Sequence, residues 1–127
     1  MKCDFHSTII PLPEVHLFVS ASTARAFISG RNCDPNLIND ETAAQTVCDC
    51  DNNSAYVVLN IRSDISHTAA ILAHEAYHVA CFAFEQMQEE EPGEEITAYL
   101  IQAIHEELVT CFLEYARRDG RDIKVLL

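Results

Sequence analysis

The chain contains no tryptophan, and only three glycines and four prolines among its 127 residues. So few backbone breakers exclude a collagen-like, linker-dominated or low-complexity chain. Cations are scarce too: Lys and Arg number 8 against 20 Asp and Glu, a formal net charge of −12. A surface that grips phosphates needs the opposite balance, so no direct nucleic-acid binding is expected. No run approaches the roughly 20 apolar residues of a membrane span, and no membrane partner is expected. Residues 1–10 show neither a continuous apolar core nor a small-residue cleavage site, so they do not read as a secretory signal. A cytoplasmic location is the expectation, and the Asn52-Asn53-Ser54 sequon is given no weight.

What is present is apolar mass: 49% hydrophobic residues, enough for one packed domain over residues 1–127. Six cysteines, Cys3, Cys33, Cys48, Cys50, Cys81 and Cys111, read as reduced thiols in that compartment. Cys81 and Cys111 fall in apolar helical patterns and are expected to pack as small core residues. Cys48-Asp49-Cys50 lacks the second close pair that a zinc ribbon needs, and its role stays open.

The Pro11-Leu12-Pro13 breaker precedes residues 14–20, which read as a strand. Residues 22–30 read as a short helix, and 37–47 are ambiguous between states. Residues 49–54 are a polar turn, and 55–61 (Ala-Tyr-Val-Val-Leu-Asn-Ile) are the clearest strand. Ser63, Asp64 and Ser66 offer N-cap oxygens to a helix reaching about Gln88. Glu89-Glu90-Glu91-Pro92-Gly93 breaks it, and a second long helix runs from about Glu94 to Arg118. The apolar tail, residues 123–127, suits a short strand.

The chemistry concentrates in His74-Glu75-Ala76-Tyr77-His78. Residues four apart on a helix share one face, so two imidazoles can hold one zinc ion at about 2.0–2.1 Å each. Glu75, beside the first, is close enough to take a proton from a water that the ion activates. A hydrolytic zinc takes three protein ligands and leaves one position open. Glu95 is the candidate third ligand, because it sits in the first turn of the second helix, where the helix dipole favours a carboxylate. Glu94, His105 and Glu106 compete for that role, and dipole compensation alone also explains Glu95. His67, Ile71, His74, His78, Cys81 and Glu85 make one stripe, and Glu95, Tyr99, Gln102, Glu106 and Leu113 another. Tyr99 is either a hydrogen-bond donor to a developing oxyanion or a packed ring with a wet hydroxyl. Glu85 or Glu106 suits either the orientation of a ligating imidazole or a solvated contact. The acidic run 89–95 is either an attractor for basic peptides or a solvated turn.

A strand, then His74-Glu75-x-x-His78, then Glu95-x-x-Ala98-Tyr99-Leu100 resembles the gluzincin-type zinc metallopeptidases, above all their minimal single-domain forms and small phage-encoded proteins of this length. The resemblance spans roughly residues 55–108. It implies His74, His78 and Glu95 as metal ligands for Zn2+, Glu75 as general base, and residues 56–61 as the edge strand that aligns a peptide. With the reading of the residues it gives an α+β, zincin-like domain: a small β-sheet packed on two long antiparallel helices that carry the metal site. The expected function is zinc-dependent hydrolysis of peptide bonds in a peptide or protein substrate, in a bacterial host cytoplasm if the chain is phage-encoded. A homodimer is the assembly considered. The alternative is a non-catalytic acidic accessory or inhibitor protein, which keeps the metal site to staple its helices or binds a protein partner. Cys81 or His105 completing a four-ligand shell would favour that alternative. A third reading, an acidic mimic of nucleic acid, fits less well because much of the acid lies in one loop.

Overall fold

The computed structural model describes residues 2–3, 12–60 and 64–118. The fold is α+β. Its sheet holds a two-residue edge strand β1 (Lys2–Cys3) and three longer strands, β2 (Glu14–Phe18), β3 (Ala44–Asp49) and β4 (Ser54–Leu59), in the order β1-β2-β4-β3. β2 runs parallel to β4, while β3 and β1 are antiparallel to their neighbours, so the sheet is mixed. Helix α1 (Ala21–Ser29) follows β2, and helices α2 (Ile65–Gln86) and α3 (Glu94–Arg118) follow the sheet.

Local chemistry sets these boundaries. Ser20 Oγ accepts the Thr23 N–H at the start of α1, and Asp64 caps α2 by accepting the His67 N–H at 2.8 Å. No Gly or Pro interrupts α2, whereas α3 begins after Pro92-Gly93, with Glu94 and Glu95 in its first turn and Arg117 and Arg118 in its last. The two acids and two arginines match the helix macrodipole at both ends. The expected tail strand over 123–127 lies outside the described residues.

Alternation along the strands divides the core into two layers. Val15 and Leu17 of β2, with Ala55, Val57 and Leu59 of β4, face α2 and α3. Leu72, Val79, Phe82, Leu100, Ile104, Leu108 and Phe112 close that layer. Phe18, Val47, Tyr56 and Val58 face the other way and pack on Ala24 and Ile28 of α1. Every residue of β4 is buried, which explains the unbroken apolar run that marked it in the sequence. Helix α3 is long and apolar enough, by length and composition, to cross a membrane, with a mean hydropathy of 1.2 over its most apolar window. Here it packs against α2 and the sheet through Leu100, Ile104, Leu108 and Phe112.

Two expectations are corrected. Residues 56–61 were expected to supply the edge strand, but β4 is interior, hydrogen-bonded to β2 on one side and β3 on the other, so it offers no free edge to a peptide. Of the three longer strands the one at an edge is β3, which arises from the ambiguous stretch and runs two residues beyond it. Asp49, assigned to the polar turn, ends β3 and is buried.

On the α1 side a polar network crosses the sheet. The Tyr56 hydroxyl donates to Asp49 Oδ2 at 2.7 Å, and Asn52 Nδ2 donates to the same oxygen at 2.7 Å. His16, 7% exposed, pairs with Glu14, and Arg31 donates to Glu14 at 3.1 Å while lying over the Phe27 ring. Burial pushes Asp49 upward, but the hydrogen bonds from Tyr56 and Asn52 and the Arg31 charge outweigh it and hold the carboxyl below the usual range. The hydrogen bond with His16 lowers Glu14. Burial lowers His16 against the opposing pull of Glu14, and burial with the Asp49 bond pushes the Tyr56 hydroxyl up to about 12.

All three lowered groups bind protons more readily in the unfolded chain, so each contributes stability that is lost as pH falls. Unfolding in urea is therefore expected to become easier below about pH 6.5, where unfolded histidine protonates, and more steeply below about pH 4, where free carboxylates do. A stability flat between pH 7 and 4 contradicts this network. Tyr56→Phe strips Asp49 of a donor and is expected to cost about 1–3 kcal/mol at pH 7 in the same assay.

Candidate metal centre

Along α2 one stripe faces the core and another faces solvent. His74 and His78 sit on the solvent stripe, one turn apart, and both are exposed. Their Nε2 atoms lie 3.2 Å apart, with the ring planes at 72°. Two nitrogens bound to one tetrahedral ion at zinc–nitrogen distances stand about 3.3 Å apart, so this spacing suits a shared metal as well as an imidazole–imidazole hydrogen bond. Among the described residues neither imidazole has another hydrogen-bond partner, and only the Tyr77 ring lies beside His78.

Glu75 is rotated about 100° from His74, the angle between successive helical residues, and so turns from solvent toward the sheet. It is 4% exposed. Its Oε2 accepts the Thr46 hydroxyl of β3 at 2.6 Å, and among the described residues its other oxygen has no hydrogen-bond partner. Thr46 reaches it because Ala44, Thr46 and Cys48 share the face of β3 turned toward α2, while Val47 and Asp49 serve the α1 layer.

A groove follows the seam between β3 and α2. Two adjoining cavities of about 430 and 400 Å³ make it up and meet at Ala44, His74 and Glu75. The first continues along Gln45, Thr46, Cys48, His78, Cys81, Phe82 and Glu85, and the second along Ala43, His67, Ala70 and Ile71. The whole stripe read from the sequence on α2 therefore lines one groove. Among the described residues no lysine or arginine lines it, so its field favours a cation.

The structure does not bring the α3 candidates to this groove. Glu95 is exposed in the first turn of α3, and Tyr99 is 61% exposed one turn later. Gln102 and Glu106 continue that stripe on the solvent side, because Leu100, Ile104, Leu108 and Phe112 turn the opposite face into the core. His105, the competing ligand, points elsewhere: its Nε2 donates to the Ala69 carbonyl at 2.8 Å, joining α3 to α2. Among the described residues no three His, Cys, Asp or Glu side chains are already gathered around a point that could hold a metal ion. Cys111 is buried as expected. Cys81 is half-buried and faces the groove rather than the core, because its stripe is the one that carries the histidines.

Thr46 and Cys48 escaped the sequence reading as groove residues. The signal for Thr46 was a β-branched polar residue between Gln45 and Val47 in a stretch with no clear period.

No protein-family model matches the chain, and no curated protein or solved structure matches it.

The Thr46–Glu75 bond yields a direct expectation. Thr46→Val keeps the shape but leaves a buried carboxylate oxygen without its donor, at a cost of about 1–3 kcal/mol in denaturant unfolding. Thr46→Ser, which keeps the hydroxyl, is expected to recover most of that loss. Equal stability of the valine variant and the parent would show that the bond contributes nothing.

Proposed function

We propose that this protein is a zinc-dependent peptide hydrolase of the minimal gluzincin type, with a zincin-like pairing of α2 and α3 as antiparallel helices. One observation carries the reading: the paired His74 and His78 imidazoles stand at metal-sharing distance on the rim of a groove whose wall holds Glu75. Glu95 is the proposed third ligand. It lies in the first turn of α3, whose dipole suits a carboxylate there, and it would have to move toward the histidines to complete the shell.

When bound, zinc supplies a Lewis acid for the scissile carbonyl and a water acidified toward neutral pH. The chain's own groups do the rest. His74 and His78 hold the ion through Nε2. Glu75 takes the proton of the attacking water on the oxygen not engaged by Thr46 and returns it to the leaving amine. Thr46 fixes that carboxylate by its 2.6 Å bond, so the free oxygen keeps one direction. Tyr99, one turn after Glu95 and free to rotate, is the proposed donor to the developing oxyanion. The open edge of β3 is the strand on which an extended peptide pairs, with its backbone along the groove.

The second reading is a non-catalytic acidic accessory protein that binds a partner and uses the metal for structure. The distance of Glu95 from the groove favours it.

The test combines metal content and turnover. Purified protein is expected to hold about one zinc per chain, to lose it in His74→Ala and to lose most of it in Glu95→Ala. Glu75→Gln is expected to keep zinc while hydrolysis of a mixed peptide library falls by about 100-fold or more. Hydrolysis that survives in Glu75→Gln removes the assigned base. Zinc bound without turnover in the parent chain gives the second reading the lead, and absence of zinc from a zinc-supplied parent overturns the hydrolase and leaves the partner-binding role.

A further inference from the structure

Cys48, Cys81 and Glu85 line one end of the groove, with Cys50 in the turn beside it, and the proposed hydrolysis uses none of them. Cys48 stands on the groove face of β3, and Cys50 follows in the adjoining turn, where its sulfur accepts the Gln86 Nε2 hydrogen at 3.5 Å. Across the seam, Cys81 and Glu85 lie one turn apart on α2 and line the same cavity as Cys48. None of the three thiols is in a disulfide.

We propose that Cys48, Cys50 and Cys81, with Glu85 beside them, form a second metal position that takes a thiophilic ion such as cadmium, copper(I) or zinc, separate from the His74–His78 pair. The donors come from two elements, β3 and α2, that the Thr46–Glu75 bond already holds together, so an ion here bridges parts that are fixed relative to each other. Sulfur donors select soft ions over magnesium or calcium.

The electrostatics agree. Protein atoms crowd the Cys48 thiol although the residue is solvent-accessible. That burial, followed by the neighbouring Glu85, Cys50 and Cys81, pushes it up to about 11. A thiol held protonated at neutral pH is a poor nucleophile, which argues against a redox or nucleophilic role. A cation reverses the sign of the same neighbours: each S–H releases its proton to solvent as the sulfur–metal bond forms. Because the thiols do not yet surround one point, binding turns them inward about χ1.

This position stands apart from the hydrolytic reading, and its test separates the two. The reduced protein is titrated with cadmium alone, following the ultraviolet sulfur-to-cadmium absorption and the proton release in weak buffer. The expected result is a saturable band, with protons released, in the parent chain and in His74→Ala. The band is expected to be lost in Cys48→Ser and weakened in Cys50→Ser, two exposed positions where serine is tolerated. No band in the parent overturns the proposal. So does a band unchanged in Cys48→Ser, which places the sulfur elsewhere. A band lost in His74→Ala also overturns it, since the thiols would then only complete the histidine site.

Discussion

Helix α2 is tied to the edge of the sheet by a part-buried hydrogen bond, Thr46 Oγ1 to Glu75 Oε2, beside the groove that both residues line. A carboxylate is rarely buried unless it is paired, because its desolvation outweighs most single contacts. Here the bond compensates that burial and agrees with the rotation of α2 that its apolar core stripe sets. Once Glu75 is turned to β3, helical geometry leaves His74 and His78 on the rim, and Cys81 and Glu85 follow along the same seam. The core side of α2 confirms the setting: Leu72, Ala76, Val79 and Ala83 are buried together on the opposite stripe.

The two faces of the sheet divide the work. The α1 side is sealed by aromatic rings and a satisfied polar network in which Asp49, Tyr56, Glu14 and Arg31 compensate one another. The α2 side keeps an apolar layer inside and leaves its outermost seam polar, open and free of cationic side chains among the described residues. Acidic character is therefore not only a matter of the net charge of −12; at the groove it is local, and it favours cations there.

Much of this was legible in the residues. The helix breaker at Pro92-Gly93 and the cap at Asp64 are local signals, and α3 spans the residues expected of it. The i, i+4 spacing of His74 and His78 required only a helix to put them together. What was not legible depended on distant pairings. The unbroken apolar run of β4 marked burial on both faces, but not that both of its edges are paired, which follows from β2 and β3 both pairing with it. The β3 segment, Ala-Gln-Thr-Val-Cys-Asp, lacks a run of large apolar residues, since one of its faces serves the groove. Of the stripe Glu95, Tyr99, Gln102, Glu106 and Leu113 read on α3, the first four face solvent while Leu113 packs against the core, because the bulk of Leu100, Ile104, Leu108 and Phe112 sets how the helix turns. No spacing rule reports which way a helix turns its polar side.

The most direct measurement is an anomalous difference map collected at the zinc absorption edge from crystals of the protein grown with equimolar zinc. The account predicts a peak within bonding distance of both Nε2 atoms of His74 and His78, with the Glu95 carboxylate drawn to it as the third donor. A map with no peak at this pair, from crystals that contain zinc, contradicts the central claim.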